Sequence, residues 1–411
     1  MKSSHFDVIV IGAGPAGSMT AYRLAKAGVR TALVDASPFP RAKACGGGLQ
    51  ARALPEIPFD VSHLFRGALS GISLSFGLGD RWTRAYREPL VHTLLRTEFD
   101  HYLLRQAEGA GAFIHIASPL RGLEVEEHGP VSVRLDGGEL RAACLVGADG
   151  ANSVVRALLN NRQDYFWQAA VYCEIPEEFV DHRTFDPESM IIDWGTLRSG
   201  YAWLFPKRGY VNVGAGGPVR IAKHLRSYVM DFVRAIGLLK SHAVERLSLK
   251  GHLLPTLTRR ARLAARRVLL VGDAAGVVEP FTGDGISFAC QSARIASECI
   301  FRALDTGPVD LTQYGPLLSE QIGSELLWAR NLLSISAICP RLIYRLFRSN
   351  DQVWETFCRT LRGEESFRIL KQDILGPFEF AWKFIDLFTQ FRQRNILTSR
   401  SSLARRSREL T

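Results

Sequence analysis

Residues 7–11 (DVIVI) form an apolar run without polar alternation, the pattern of a strand buried on both faces of a parallel sheet. Residues 18–27 read as the helix that follows, Gly28 stands where a helix C-terminal glycine belongs, and residues 31–34 (TALV) give a second strand. Together they predict a β-α-β unit of about thirty residues. Val131, Val133 and Leu135 alternate with polar residues ahead of Asp136-Gly137-Gly138, a hairpin or meander pattern that leads into a short buried strand at 145–147. Between roughly 160 and 255 the character changes. Tyr165, Phe166, Trp167, Tyr172, Trp194, Tyr201, Trp203 and Phe205 lie among β-branched residues with few long helical patterns, which predicts a mostly antiparallel sheet. Residues 268–271 (VLLV) restore a buried strand, 285–303 a helix, and the chain after about 320 is helical in pattern. In 340–348, Leu342, Ile343, Leu346 and Phe347 share one face while Arg341, Arg345 and Arg348 fall largely on others.

Length and composition add limits. A chain of 411 residues, 46% hydrophobic, is long enough for two or three lobes around a sizeable core. Seven cysteines without any CxxC pair fit a reducing compartment and argue against a disulfide frame or a zinc site, so no metal is expected. No apolar stretch reaches the roughly 18–20 residues of a spanning helix, and the N-terminal run enters a glycine loop instead of a cleavage site. The expectation is a cytoplasmic protein, soluble or peripheral on a membrane surface. The net charge is +10, but from Phe391 onward Arg392, Arg394, Arg400, Arg405, Arg406 and Arg408 face the single acid Glu409. That is a local basic tail, a solvated terminus or a membrane contact, and not a nucleic-acid-binding domain.

Four turns carry the chemistry. In Gly12-Ala13-Gly14-Pro15-Ala16-Gly17 a strand precedes the glycines, a helix follows, and Asp35 stands about twenty residues on, the context that gives GxGxxG its meaning. Gly12 allows the tight turn, Gly14 the approach of a pyrophosphate, and Gly17 close helix–strand packing, while Asp35 is placed to hold ribose hydroxyls. Lys43-Ala44-Cys45-Gly46-Gly47-Gly48 would admit a flat ring system closely, or would simply be a flexible loop. Gly147-Ala148-Asp149-Gly150 ends a strand and is weak evidence by itself. The fourth, 271–276 (VGDAAG) with Pro280 and Gly283-Asp284-Gly285-Ile286, runs from strand through glycine turn to helix, with Asp273 suited to accept from ribityl hydroxyls.

In this order and spacing the four turns resemble the flavoprotein hydroxylase superfamily, which implies FAD, and Arg96 in 95–100 (LRTEFD) matches the arginine that superfamily sets against the flavin. The runs 41–49 (RAKACGGGL), 272–286 (GDAAGVVEPFTGDGI), 201–206 (YAWLFP) and 340–348 (PRLIYRLFR) are similar to the geranylgeranyl reductase family over nearly the whole chain. One departure is Arg198, where that family often has proline three residues before the tyrosine, and it bears on the shape of the substrate channel.

The resemblance implies an α/β Rossmann-like FAD-binding domain of the hydroxylase type, with an antiparallel β-sheet substrate domain and a helical C-terminal region. The expected division is 1–65, 91–160 and 256–325 for FAD, 66–90 and 161–255 for substrate, and 326–411 for the helices and basic tail. It implies reduction of isoprenoid double bonds by hydride transfer from reduced flavin, with NAD(P)H or a reduced ferredoxin as electron donor and a prenyl lipid or prenyl diphosphate as substrate. Cofactor contacts carry over to Gly12, Gly14, Ala16, Gly17, Asp35, Cys45, Gly46, Gly48, Arg96, Leu120, Asp149, Asp273, Gly285 and Ile286. Catalytic positions carry over to Cys45, Tyr201 and Trp203, and substrate contacts to Tyr201, Trp203, Phe205 and Pro206. Cys45 reads equally as a proton donor or positioning group and as a small packing residue, and the aromatic strand equally as a channel wall and as domain core. A flavin monooxygenase is the rival activity, although the WxWxIP run of tryptophan halogenases is missing. A non-catalytic lipid-binding or tRNA-associated flavoprotein is the rival class.

Overall fold

The computed structural model describes residues 4–126, 129–160, 164–240 and 247–376; the arginine-rich tail from Phe391 lies outside them. Ser4–Ile11 is the central strand of the first sheet. It pairs in parallel with Gly138–Gly147 on one side and with Thr31–Val34 on the other. Phe113–His115 and Val268–Leu270 extend the parallel sheet outward. Val8, Ile9 and Val10 are fully buried, because helices and neighbouring strands leave this sheet no wet face. Val131–Leu135 returns antiparallel along Gly138–Gly147, the hairpin marked by the glycine turn.

The second sheet has seven strands, in the order Lys250–Leu257, Tyr165–Pro176, Tyr210–Pro218, Tyr201–Lys207, Ser189–Trp194, Gly71–Phe76 and Arg81–Ala85. All its pairings are antiparallel except Ser189–Trp194 with Gly71–Phe76, which run parallel. Alternation divides its two faces. Ile191, Ala202, Leu204, Val211 and Val213 point to a helix that the sequence reading did not include, Ala222–Ala235, whose Leu225, Val229, Phe232 and Val233 are buried against them. Here a helical period was masked by the surrounding aromatic and β-branched residues.

The opposite face carries Ile72, Leu74, Met190 and Trp194, covered by the helices Ser324–Ile338, Pro340–Ser349, Asp351–Arg362 and Phe367–Leu375. In Pro340–Ser349, Ile343 and Phe347 are buried whereas Arg341, Arg345 and Arg348 are exposed. Among the described residues no single helix is long and apolar enough to cross a membrane, and Tyr314–Ile338 meets Pro340–Ser349 at a bend of 107°.

Candidate functional site: a cavity between the two sheets

The C-terminal ends of Ser4–Ile11, Thr31–Val34 and Gly138–Gly147 open into one cavity of about 740 Å³. This is where the strand order of the parallel sheet reverses direction, the place where open α/β sheets bind ligands. Gly12 has φ +103°, and a Cβ there would lie 2.3 Å from the Ala148 carbonyl oxygen. A Cβ on Gly17 would sit 1.8 Å from Gly12 O, so this glycine sets how closely the helix Pro15–Lys26 packs on its strand. Gly14 differs. It is the N-cap, no side chain caps the helix, and a Cβ there would meet only the Arg41 guanidinium at 3.8 Å. Unpaired N–H groups and free space thus coincide at the mouth of the glycine loop, an arrangement that fits a pyrophosphate.

Asp35 lines the cavity while bracing the loop: its carboxylate accepts from Ala13 N–H and from Ser37 N–H, each at 2.8 Å. Arg41 lies 3.7 Å from both Asp35 and Asp100. Arg96, one turn before Asp100 on the same helix, donates to it bidentately at 2.7 and 2.8 Å. Burial works against the Arg96 charge, but Asp100 and then Cys45 hold the group protonated, well above the usual arginine range. Ala16, Leu120, Asp149, Gly285 and Ile286 also line the cavity. The Asp149 carboxylate turns into its own loop, accepting from Ser153 Oγ at 2.5 Å and Val154 N–H at 2.7 Å. Burial pushes its pKa up.

Asp273 lies at the polar end of the cavity with Lys43, which opens the cysteine–glycine run, and His252, which stands in no motif. His252 Nε2 is 3.7 Å from the Asp273 carboxylate and 3.0 Å from Lys43 Nζ. Burial would raise the Asp273 carboxyl, yet His252 and Lys43 bring it below the usual range. Lys43 itself is lowered, mainly by burial. Loop residues carry no periodicity, and His252 sits on a remote strand, so only folding brings these two groups together. The cations Arg41, Lys43 and Arg96, the open Gly14 and the uncapped helix suit an anionic dinucleotide, and the residues present fit FAD.

From this polar end the cavity crosses the face of the second sheet. Tyr201, Trp203 and Phe205 line it from one strand, with Cys45, Gly46, Gly47 and Gly48 opposite. A Cβ on Gly46 would come within 2.9 Å of the Phe205 ring, and one on Gly47, at φ +68°, within 2.4 Å of Leu94 O. The polar tips of the aromatics are committed to protein acceptors. Tyr201 donates to Thr282 O at 2.6 Å and Trp203 Nε1 to Asn212 Oδ1 at 2.8 Å, so both present rings to the cavity. Burial, with Glu279 and Asp284 nearby, raises the Tyr201 hydroxyl well above the usual phenol range. Pro206 is a correction to the expected substrate contacts. It is absent from the lining, it is buried, and its carbonyl accepts from Thr93 Oγ1 at 3.0 Å, because a strand residue one step from Phe205 faces the other way.

The far end is apolar, and most of its lining residues stand in none of the motifs. Ile72, Leu74, Met190, Trp194 and Phe281 form one wall, and Leu333, Phe347, Phe357 and Leu361 from the C-terminal helices close it. Among the described residues no cluster of His, Cys, Asp and Glu is arranged to hold a metal ion.

A flavoenzyme is the class this site and fold define. Residues 5–171 match the FAD binding domain family. The chain is 31% identical over 382 residues to chloroplastic geranylgeranyl diphosphate reductase of Oryza sativa, covering 88% of this chain and 77% of that one. It is 30% identical over 316 residues to digeranylgeranylglycerophospholipid reductase of Methanococcus vannielii, at coverages of 73% and 78%. It is also 30% identical over 360 residues to menaquinone reductase of Mycolicibacterium smegmatis, at 82% and 86%. A geranylgeranyl bacteriochlorophyll reductase-like protein of Thermoplasma acidophilum shares the fold, with a TM-score of 0.70 at 23% identity over 82% of this chain and 88% of that one. The chain belongs to the geranylgeranyl reductase family of FAD-dependent oxidoreductases.

Proposed function

We propose that this protein saturates double bonds of a long prenyl chain, carried by a lipid, a quinone or a diphosphate. The observation that supports it most is the continuity of the cavity. One end is built for an anionic dinucleotide, the other is an apolar slot, and the cysteine–glycine loop faces the aromatic strand where the two meet. FAD held by the glycine loop and its neighbours would, once reduced, supply the hydride. The chain's own residues orient the alkene and exclude water. Arg96 and Asp100 form a buried pair beside Cys45, and Tyr201, Trp203 and Phe205 present apolar surface to the prenyl chain. Cys45, partly buried on the same loop, is the group proposed to position the alkene or hand on a proton. The reading assigns FAD contacts to the glycine loop, Asp35, Arg96, Asp273 and the Gly285–Ile286 helix start. It assigns electron supply to NAD(P)H or a reduced ferredoxin. The exposed Arg341, Arg345 and Arg348 are proposed to rest on an anionic membrane surface facing the cytoplasm, where prenyl lipids are at hand.

The test is anaerobic. Chemically reduced holoenzyme is mixed with geranylgeranyl diphosphate while flavin absorbance and product mass are followed. Reoxidation with a gain of two hydrogens per flavin is the expected result. Reoxidation only when oxygen is admitted, with every prenyl head group tried, would bring the monooxygenase reading forward.

A further inference from the structure

Asn212 has no assigned role, yet it is fully buried beside the point where the polar and apolar halves of the cavity meet. It stands in register with Phe205 on one neighbouring strand and Glu174 on the other, so the three side chains share a face of the sheet. Its Oδ1 accepts from Trp203 Nε1 at 2.8 Å. Its Nδ2 donates to the Cys45 carbonyl at 3.3 Å and to Glu174 Oε1 at 3.0 Å. Glu174 Oε1 also accepts from Lys207 Nζ at 2.8 Å, and the Lys207 side chain is fully buried. Lys207 Nζ in turn packs where a Cβ on Gly47 would fall, 2.5 Å away.

The chemistry of the partners fixes the orientation of this amide. An indole N–H can only donate, and a carbonyl and a carboxylate can only accept, so reversing the amide would lose all three bonds. The indole reaches Asn212 because Gly214, directly opposite Trp203, has no side chain; a Cβ there would lie 2.3 Å from the ring. A buried amide whose donors and acceptor are all used admits one arrangement of its neighbours.

We infer that Asn212 is a positioning residue of the reductive site. It ties the Cys45 loop to the Trp203 ring on the second sheet and fixes the gap in which the alkene lies. The inference rests on the prenyl-reductase reading for its kinetic consequence only.

Two readouts test it, using FAD-loaded full-length protein. The first is the rate at which iodoacetamide alkylates Cys45, located by peptide mass, with the partly exposed Cys339 as internal reference. Asn212→Leu frees the Cys45 carbonyl and is expected to speed alkylation there about fivefold, the loosening that loss of one neutral hydrogen bond produces. Cys339 should be unaffected. Asn212→Asp serves as the second variant should the leucine protein fail to fold. It keeps an acceptor for Trp203 but offers no donor to Cys45 O, and the same direction is expected.

The second readout is the split of kcat from KM. Displacement of the reacting groups should lower kcat roughly tenfold to a hundredfold with KM little changed. An unchanged Cys45 alkylation rate, or wild-type kcat in a variant whose loop has loosened, would overturn the assignment. If wild-type protein reduces no prenyl substrate, the reductase reading fails by itself while the alkylation result still decides whether Asn212 holds the loop.

Discussion

Tyr201 donates its hydroxyl to the Thr282 carbonyl at 2.6 Å, joining the aromatic strand of the second sheet to the loop that precedes the helix Ile286–Asp305. Gly283, at φ +78°, lets the loop pass: a Cβ there would meet the Tyr201 hydroxyl at 3.0 Å. Removing the hydroxyl leaves a carbonyl without its donor. Tyr201→Phe is therefore expected to lower stability by about 1–3 kcal/mol. It should reduce turnover by loosening the contact, not by removing an acid. Thermal melts and kcat measured together check this, and an unchanged melt with abolished turnover would point to an acid role instead.

Two glycines of one loop should fail differently. Gly17→Ala drives a Cβ to 1.8 Å from backbone, so little folded protein is expected. Gly14→Ala meets nothing nearer than 3.8 Å, so the fold should survive while the new methyl occupies the space facing the helix N-terminus. The check is a normal melt for apo Gly14→Ala together with loss of yellow flavin on purification. Full flavin occupancy would move the pyrophosphate site elsewhere.

Cys45→Ala should keep FAD bound and slow alkene reduction. The side chain faces the cavity beside Arg96; its Sγ accepts from Gly47 N–H at 3.3 Å, one weak contact in a loop whose shape also depends on Gly46 and Gly47. Single-turnover reoxidation by prenyl substrate measures it, and unchanged turnover would remove the thiol from the mechanism.

Glu279 is fully buried, and burial pushes its carboxyl up to about 7 from the ordinary 4.5, although Thr282 and the Phe281 N–H donate to it. The folded chain holds that proton more tightly than the unfolded chain. The resulting stabilisation is complete below about pH 4.5 and is lost as the pH rises through 7. Its size is roughly 3 kcal/mol. Glu279→Gln cannot ionise, so wild type should lose stability relative to the variant between pH 5 and pH 8 in urea titrations. A difference constant across that range would contradict the assignment.

Leu333 faces the closed apolar end from the helix Ser324–Ile338. Leu333→Trp should shorten the slot without touching the dinucleotide end. Flavin occupancy should stay full, while reduction of geranylgeranyl diphosphate falls about tenfold or more against geranyl diphosphate, the scale on which apolar pockets discriminate. An equal loss on both substrates would place the prenyl tail elsewhere.

The sequence by itself determined the dinucleotide half. Strand, glycine turn and helix are contiguous at 4–26, and the positive φ of Gly12 and the packing of Gly17 on Gly12 are set within that one turn. The aromatic strand was legible too, since alternation sends Tyr201, Trp203 and Phe205 to one face. Alternation also argued against Pro206, one residue out of phase, which was nonetheless expected at the substrate.

Only the tertiary structure decided the rest. His252 meets Lys43 from 209 residues away, and Asn212 meets Cys45 from 167. Leu333 and Ile72 wall one slot although neither stands in a motif. Such groups come together because two sheets and a helical layer pack around a shared cavity. That packing is set by the summed burial of many apolar side chains, which no short stretch of sequence records.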